Sequence, residues 1–160
     1  MAQDFTADFC DTYPEKVTAL EPGFSNFGGA AMCQGEVLTI KLDRNNADLI
    51  TLLKEEDGTG KVVVVDADQA YYAIVGEKLM GFAQASGFAG IIVNGYIRDT
   101  AQIKDIPVAL YALGTCPRKY IPVTEGTRDG VLSFAGATIK PGDYLYADTD
   151  GIIVTAAPLT

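Results

Sequence analysis

Three charged residues have the types and the spacing expected of a site that acts on a small acid. Glu77 stands at the predicted start of a helix, and Arg98 and Asp99 follow after the twenty residues 78–97. One helix and one strand of that combined length return the chain to the edge of the sheet that it left. Arg98 offers a planar fork of N–H donors for a carboxylate or a 2-keto acid. Asp99 offers hard oxygen ligands for a divalent cation, which Glu77 is placed to hold directly or through water.

The backbone at the start of the same helix adds a predicted anion site. The N–H groups of the first helical turn have no partner within the helix, and the helix dipole favours negative charge there. A small 2-keto acid substrate would bind its carboxylate to these amides and place its keto oxygen beside the cation and Arg98. If the bond beyond C3 then breaks, metal and guanidinium face the charge of the resulting enolate. The residues that supply this backbone are Gly76, Glu77, Lys78 and Leu79.

A simpler interpretation accounts for the same residues. Adjacent Arg and Asp residues commonly form a solvated pair at the end of a strand. A Glu at a helix start is favoured by the macrodipole alone. The spacing by itself therefore leaves both a keto-acid site and an ordinary surface pair open.

The composition excludes several other classes of chemistry. The 160 residues include 12 basic and 21 acidic side chains, a net charge of −9, which disfavours direct binding of nucleic acid and of anionic membranes. With no histidine, the chain cannot form a Ser-His-Asp triad or a His-ligated zinc site, so a metal at Asp99 is expected to be Mg²⁺ or Mn²⁺. Three cysteines outside any C-x-x-C pair, and no apolar run of membrane-spanning length, predict reduced thiols and a cytoplasmic protein.

The elements that would position this site form one predicted domain over residues 1–160, because no linker, repeat or low-complexity tract divides the chain. Continuous apolar runs predict buried strands at 61–66 and 89–94. A helix from Glu77 to a stop at Gly87 lies between them. The two strands are therefore expected to run parallel in a β-α-β unit.

Shorter elements surround this unit. A helix capped by Thr6 and a second helix over residues 46–55, capped by Asn46, are predicted in the first third of the chain. A further helical segment ends at Gly76, and its buried side is formed by Ala70, Ala73 and Ile74. Other strands are predicted at residues 37–42, 108–113, 131–134, 144–147 and 152–155. Turn residues separate the later strands, and residues 148–151 favour a hairpin turn over a calcium loop, so the fold class is α/β, with a β-α-β unit followed by mainly antiparallel strands.

Six blocks of sequence are spread in order over essentially the whole chain, at residues 8–13, 21–29, 60–66, 93–99, 112–115 and 145–154. Together these blocks resemble the RraA family. That family contains the regulator of ribonuclease E activity and the 4-hydroxy-4-methyl-2-oxoglutarate aldolases. The resemblance implies a swivelling β/β/α fold and a ring-shaped homotrimer with its active-site cleft between subunits.

The aldolase branch of the family carries an Asp-x20-Arg-Asp motif that works with a divalent metal, and this chain is similar with Glu77, Arg98 and Asp99. By that resemblance Asp99 would ligate Mg²⁺, Arg98 would bind substrate and stabilise the enolate, and Glu77 would order the water that protonates it. The same intermediate would allow decarboxylation of oxaloacetate. Two features depart from the family pattern. Glu77 is one methylene longer than Asp, and residues 67–72 replace a glycine-rich stretch followed by arginines that would flank the cleft.

The resemblance leaves three functions open. The first is a divalent-metal-dependent class II pyruvate aldolase that cleaves 4-hydroxy-4-methyl-2-oxoglutarate and also decarboxylates oxaloacetate. The alternative is a non-catalytic regulator that binds and inhibits ribonuclease E, or binds an RNA helicase, through an acidic surface. Residues 25–27 resemble the regulator branch more than many aldolases. The third is a relative that acts on another small keto acid.

Overall fold

The structure is a computed structural model that describes residues 4–159, and its centre is a ten-stranded mixed sheet. Four helices are described, α1 (Thr6–Thr12), α2 (Ala47–Glu55), α3 (Glu77–Ser86) and α4 (Thr100–Ile103). The strands are β1 (Thr18–Ala19), β2 (Ser25–Asn26), β3 (Cys33–Lys41), β4 (Lys61–Asp66), β5 (Ala73–Val75), β6 (Gly90–Ile97), β7 (Ala109–Thr115), β8 (Thr127–Arg128), β9 (Leu132–Phe134), β10 (Ala137–Ile139), β11 (Tyr144–Ala147) and β12 (Ile152–Thr155).

The middle of the sheet is parallel and buried on both faces. Strands β3, β4, β6 and β7 are neighbours in that order, and each adjacent pair runs parallel. In β4, Val63 and Val65 pack into the core beneath α2 and α3, while Val62 and Val64 pack into a second core on the other face. This confirms the β-α-β prediction, because a strand covered on both sides needs apolar residues at every position.

The antiparallel part of the fold adjoins β3. Strand β11 pairs antiparallel with both β3 and β12, and β1 completes that edge by pairing with β12. Strands β9 and β10 form a separate hairpin. The first strand after Pro107 differs from this pattern, because β7 pairs parallel with β6 and belongs to the parallel middle of the sheet.

The prediction of a helical segment before Gly76 is wrong. Residues 67–72 form turns, and β5 follows, paired parallel with the end of β6. Asp68 and Gln69 adopt left-handed backbone conformations, with φ of +54° and +58°. Two consecutive left-handed residues are incompatible with a right-handed helix, and the buried Ile74 is apolar because it lies in a covered strand.

The predicted capping of α1 by Thr6 is also wrong, although the helix exists where expected. Phe5 occupies the cap position, and no side chain at that position bonds to the helix. The carboxylate of Asp148 instead accepts the backbone N–H groups of Phe5 and Thr6, each at 2.7 Å, and the Thr6 hydroxyl at the same distance. Because this cap lies 142 residues away in sequence, the local pattern could not indicate it.

The two longer helices begin and end close to their predicted limits. Helix α2 follows Asn46, but the Asn45 side chain accepts the Ala47 N–H at 2.9 Å, while Asn46 donates to the Ile74 carbonyl at 2.7 Å. Helix α3 ends at Gly87, whose φ of +87° forms the left-handed stop. With at most ten residues each, the helices described within 4–159 are too short to cross a membrane.

Candidate active site

Asp99 is the residue around which the candidate site is built. It is the second residue after the end of β6 and directly precedes α4, with a left-handed backbone at φ +65° and ψ +38°. This conformation is unusual for a residue with a Cβ, although Asp tolerates it better than most. It turns the side chain toward the start of α3, where Oδ2 accepts the backbone N–H of Glu77 at 2.9 Å.

Gly76 allows the carboxylate to come this close. A Cβ built on Gly76 would lie 2.5 Å from Asp99 Oδ2 and 3.4 Å from Arg98 Cγ. The first separation is far below van der Waals contact, so any larger residue would displace the carboxylate. Gly76 therefore has a steric role, in addition to the predicted role of its backbone.

Arg98 holds its guanidinium group against the segment that follows β7. Its Nη1 donates to the Pro117 carbonyl at 3.2 Å, and its backbone N–H donates to the Val75 carbonyl at 2.9 Å. The ion pairs found within residues 4–159 join other residues, so no carboxylate there neutralises Arg98. The remaining donors of the guanidinium fork are available to a bound anion.

Two cavities meet at Arg98 and Asp99. The smaller has a volume of about 120 Å³ and also contacts Lys78 and Leu79. The larger, of about 320 Å³, extends along Thr115, Cys116 and Pro117. The structure thus brings together Arg98, Asp99 and the first turn of α3, as the spacing predicted.

Glu77 enters this arrangement through its backbone. Its side chain is exposed and lines neither cavity, whereas its amide is the group that Asp99 binds. Since the Met80 N–H already bonds to the Gly76 carbonyl, the amides of Lys78 and Leu79 are those left for a ligand in this turn. The predicted anion site is accordingly narrowed to these two N–H groups.

The oxygen ligands at this site suit Mg²⁺, which binds through one or two protein carboxylates and keeps several waters, better than a cation that needs four or more protein ligands. Within residues 4–159, no group of three or more Asp, Glu, Cys or His side chains is arranged to hold a metal. Asp99 Oδ2 accepts an amide, while Oδ1 accepts no hydrogen bond from this part of the chain. A hard cation that takes one carboxylate oxygen and completes its shell with water and substrate matches this arrangement.

Sequence reasoning missed residues that line the smaller cavity from elsewhere in the chain, notably Asn46 and Lys119. Lys119 lies in an irregular segment with no periodic pattern, so only the fold brings it near Asp99. Residues 67–72 are expected to flank the site, but they line neither cavity at Asp99. They contact the lining of the larger cavity, because the Cys116 thiol donates to the Tyr71 carbonyl at 3.5 Å.

A further cavity, of about 670 Å³, lies elsewhere and contains a buried carboxylate, that of Asp148. It is bordered by residues 20–26, Tyr111 and the turn at 148–151, which forms the predicted β11–β12 hairpin. Burial alone would raise the pKa of Asp148, but hydrogen bonds from Thr6, Phe5 and Asp150 outweigh it and hold the pKa below its usual range. Asp148 therefore serves as a charged cap inside the fold.

Comparisons with known proteins agree with this fold. The family model described as RraA-like, Aldolase/RraA, matches residues 6–154. Two relatives are provisionally named 4-hydroxy-4-methyl-2-oxoglutarate aldolase. The protein from Laribacter hongkongensis is 40% identical over 155 residues, covering 96% of this chain and 97% of its own length. The protein from Azotobacter vinelandii is 42% identical over 158 residues, covering 98% and 97%.

Two solved structures resemble the chain closely. The RNA-processing inhibitor RraA from Thermus thermophilis has a TM-score of 0.93 and 34% identity, covering 99% of this chain and 96% of that one. The S-adenosylmethionine:2-dimethylmenaquinone methyltransferase from Geobacillus kaustophilus has a TM-score of 0.92 and 37% identity, covering 96% of each chain. With residues 6–154 matched by the family model and near-full-length relatives at about 40% identity, the chain belongs to the RraA-like family of aldolase and RraA proteins.

Proposed function

We propose that this protein is a divalent-metal-dependent class II pyruvate aldolase that cleaves 4-hydroxy-4-methyl-2-oxoglutarate to pyruvate and also decarboxylates oxaloacetate. One observation carries the proposal. The Asp99 carboxylate, fixed at 2.9 Å from the Glu77 amide, borders the same cavities as an Arg98 guanidinium group that has no carboxylate partner within residues 4–159. The aldolase names of the relatives support the same chemistry.

Groups of this chain bind and orient the keto-acid end of the substrate in the proposal. The amides of Lys78 and Leu79 bind the carboxylate next to the keto group, aided by the positive end of the α3 dipole. The free donors of Arg98 bind the keto oxygen, where negative charge grows as the carbon–carbon bond breaks. One well-placed donor to such an oxyanion is typically worth about 3 kcal/mol of transition-state stabilisation.

Asp99 is the residue that would hold Mg²⁺ or Mn²⁺, through the oxygen left free by the Glu77 amide. When bound, the ion supplies Lewis-acid polarisation of the keto group. Asp99 also keeps the start of α3 at a fixed distance from Arg98, so the amides and the guanidinium group face one ligand. Positioning of this kind makes the reaction effectively unimolecular.

Glu77 takes two roles in the proposal. Its amide fixes Asp99. Its carboxylate is exposed and lines neither cavity of the single chain, and we propose that it orders the water that returns a proton to the enolate carbon. Glu77→Gln keeps the amide and removes the charge, so the two roles separate experimentally. We expect slower proton return, measured as slower solvent-deuterium incorporation into pyruvate, with unchanged substrate binding.

We further propose a homotrimer in which a neighbouring subunit completes the cleft. Support comes from large apolar side chains that remain exposed in the single chain: Tyr71 at 52%, Ile121 at 71% and Val123 at 78% of their surface. Ile121 and Val123 follow Lys119, which lines the smaller cavity, in the same irregular segment. Large apolar groups exposed to this extent favour a protein interface. Light scattering coupled to size-exclusion chromatography tests the trimer, and a monomeric mass would contradict it.

The aldolase proposal is tested by measuring pyruvate released from 4-hydroxy-4-methyl-2-oxoglutarate and from oxaloacetate, with Mg²⁺ or with EDTA. Activity should disappear with EDTA and in Asp99→Ala. Asp129→Ala is a matched control, because Asp129 also has a left-handed backbone, φ +64°, but lines neither cavity at Asp99. Background rates in every sample would contradict the proposal.

A second function has its own support. The RraA of Thermus thermophilis is an RNA-processing inhibitor and matches this chain with a TM-score of 0.93, and the net charge of −9 suits an arginine-rich protein partner. The candidate is a non-catalytic regulator of ribonuclease E or an RNA helicase. A pull-down with the arginine-rich scaffold of the ribonuclease tests it. Salt-sensitive capture that survives Asp99→Ala would support regulation, and no capture at low salt would contradict it.

The methyltransferase name of the Geobacillus structure finds no support in the segment between β4 and β5. In nucleotide-binding α/β folds, the loop after a buried strand commonly carries glycines that let a ligand approach the backbone closely. This segment has none, since residues 67–72 are Ala-Asp-Gln-Ala-Tyr-Tyr.

A further inference from the structure

Two tyrosines of the segment 67–72, which departs from the family pattern, contact a cation outside the candidate site. The guanidinium carbon of Arg118 lies 4.7 Å from the ring centre of Tyr72 and 5.8 Å from that of Tyr71. Both distances lie within the range in which a cation is attracted to an aromatic ring. Arg118 is exposed and forms no ion pair within residues 4–159, so the two rings are the contacts that hold its charge.

The contacts of Arg118 extend into a larger cluster. Tyr71 packs edge-on against Tyr96 of β6, with ring centres 5.0 Å apart. Tyr72 packs in the same way against Tyr120, at 5.1 Å. Four rings and one guanidinium group are thus in continuous contact, and we call them the tyrosine–Arg118 cluster. The cluster joins β6 to the irregular segment that follows β7.

Arg118 directly follows the residue that holds the Arg98 guanidinium group. Arg98 Nη1 donates to the Pro117 carbonyl at 3.2 Å. Because the Pro117 carbonyl and the Arg118 N–H belong to one planar peptide group, the orientation of Arg118 fixes the direction of that carbonyl. On the other side of Pro117, the Cys116 thiol donates to the Tyr71 carbonyl at 3.5 Å. The backbone that binds Arg98 is therefore attached to the cluster on both sides.

We infer that Arg118 and Tyr72 are positioning residues for the Arg98 guanidinium group. Their contact holds the Pro117 carbonyl in place, and that carbonyl orients the guanidinium group toward the substrate. The inference rests on the proposed function, in which Arg98 binds the keto oxygen. Neither Arg118 nor Tyr72 lines a cavity at Asp99, so their effect reaches the site through the backbone. An exposed cation–π contact changes a conformational equilibrium by a factor of about two to five, which sets the size of the expected effect.

Nuclear magnetic resonance of the arginine side chains tests the inference without turnover. Since the chain has four arginines, isotopic nitrogen labelling of arginine resolves the Arg98 side chain, and Arg98→Lys assigns its signals. The hydrogen bond to Pro117 slows rotation of this guanidinium group about its Nε–Cζ bond, and exchange between the two Nη signals measures that rotation. In Arg118→Met and in Tyr72→Leu the rotation should become at least about twofold faster. Tyr72→Phe keeps the ring and should keep the wild-type rate.

Matched control variants remove cation–π contacts elsewhere in the chain. Lys54→Met removes a cation that lies 5.2 Å from the ring centre of Phe82. Tyr13→Leu removes a ring whose centre lies 5.5 Å from Lys16 Nζ. None of these four residues lines either cavity of the candidate site. Both control variants should keep the wild-type rotation rate of Arg98.

Steady-state kinetics adds a measurement that a purely structural role would not change. Arg98 faces the charge that develops as the bond breaks, so weaker positioning should affect the transition state more than substrate binding. Arg118→Met and Tyr72→Leu should lower kcat for pyruvate release by about two- to fivefold and leave KM unchanged. The double variant should lose no more than either single variant, because both substitutions remove the same contact. Tyr72→Phe and Lys54→Met should keep the wild-type kcat.

The two measurements separate this inference from the aldolase proposal. Unchanged rotation of Arg98 in both Arg118→Met and Tyr72→Leu would overturn the inference, as would equal acceleration in the control variants. Wild-type kcat in both variants of a protein that releases pyruvate would also overturn it. If the wild type releases no pyruvate, the aldolase proposal fails, while the rotation rate still decides whether Arg118 and Tyr72 position Arg98. Thermal unfolding checks that each variant is folded, and the two single variants test the contact independently.

Discussion

Asp99 and Asp148 each bind the backbone at the start of a helix, but they use their carboxylates differently. Asp148 is 1% exposed and accepts four hydrogen bonds, from the Phe5, Thr6 and Asp150 amides and from the Thr6 hydroxyl. Asp99 is half-buried, borders two cavities and accepts one hydrogen bond, from the Glu77 amide. A carboxylate whose acceptor positions are filled stabilises the fold, whereas one with vacant positions remains available to a ligand.

The largest expected effect is on activity when Asp99 loses its charge. Asn keeps an oxygen for the Glu77 amide and tolerates the left-handed backbone, so Asp99→Asn should unfold at nearly the wild-type temperature. Pyruvate release should fall by about a hundredfold or more, because a charged group at the reacting atoms is lost. Steady-state kinetics and thermal unfolding are measured together. Wild-type turnover in this variant would show that Asp99 has no catalytic role.

The same substitution at Asp148 should have the opposite effect, lowering stability and leaving activity unchanged. Asp148→Asn weakens charge-assisted hydrogen bonds in a buried cap, so the free energy of unfolding should fall by about 2–3 kcal/mol. Activity per folded molecule should stay at the wild-type value, because Asp148 lies outside both cavities at Asp99. Urea unfolding gives the stability change. A loss of turnover larger than the loss of folded protein would contradict the contrast between the two aspartates.

Gly76→Ala tests how closely Asp99 must approach α3. The added Cβ would lie 2.5 Å from Asp99 Oδ2, so the carboxylate must move and activity should fall about tenfold. Gly81→Ala, inside helix α3, is the control, since a Cβ there meets no atom within 4 Å. That variant should keep full activity and gain about 0.5–1 kcal/mol of stability from its helix propensity. Equal activity in the two variants would disprove the steric role of Gly76.

The smallest expected effect is on the pH dependence of stability. Because hydrogen bonds hold the pKa of Asp148 below its usual value of about 3.9, its contribution is fully present above that value. It is lost as the pH falls through the folded-state pKa. The free energy of unfolding, measured by urea titration between neutral pH and strongly acidic pH, should therefore fall less steeply in Asp148→Asn than in the wild type. Parallel curves would show that Asp148 does not contribute in this way.

The sequence was most informative where burial alone determines the structure. The uninterrupted valines of β4 and the glycine after α3 are local signals, and the structure has both elements where these signals predicted them. Residues 67–75 were misassigned because alanines and an isoleucine at helical spacing also fit a turn followed by a covered strand. The left-handed conformations of Asp68 and Gln69 decide between the two, and neither residue type indicates them in advance.

For the candidate site too, the sequence predicts which elements lie together but not the contacts between them. The spacing of residues 77, 98 and 99 correctly predicted that the start of α3 and the end of β6 lie together. It could not predict that Asp99 would contact the Glu77 amide, because that depends on the left-handed backbone of Asp99 and on the open space at Gly76. The sequence does not indicate Lys119, because an irregular segment brings it to the cavity and contacts with distant residues hold that segment, among them the hydrogen bonds from Ala73 and Asn45.

The central claim, that Asp99 keeps an oxygen free for a divalent cation, is tested most directly by Mn²⁺ binding in the presence of pyruvate. Electron paramagnetic resonance of free Mn²⁺ gives the dissociation constant for the wild type, Asp99→Asn and Asp129→Asn. We predict equal affinity in the wild type and Asp129→Asn, and affinity at least about tenfold weaker in Asp99→Asn. The same dissociation constant in all three proteins would contradict the account.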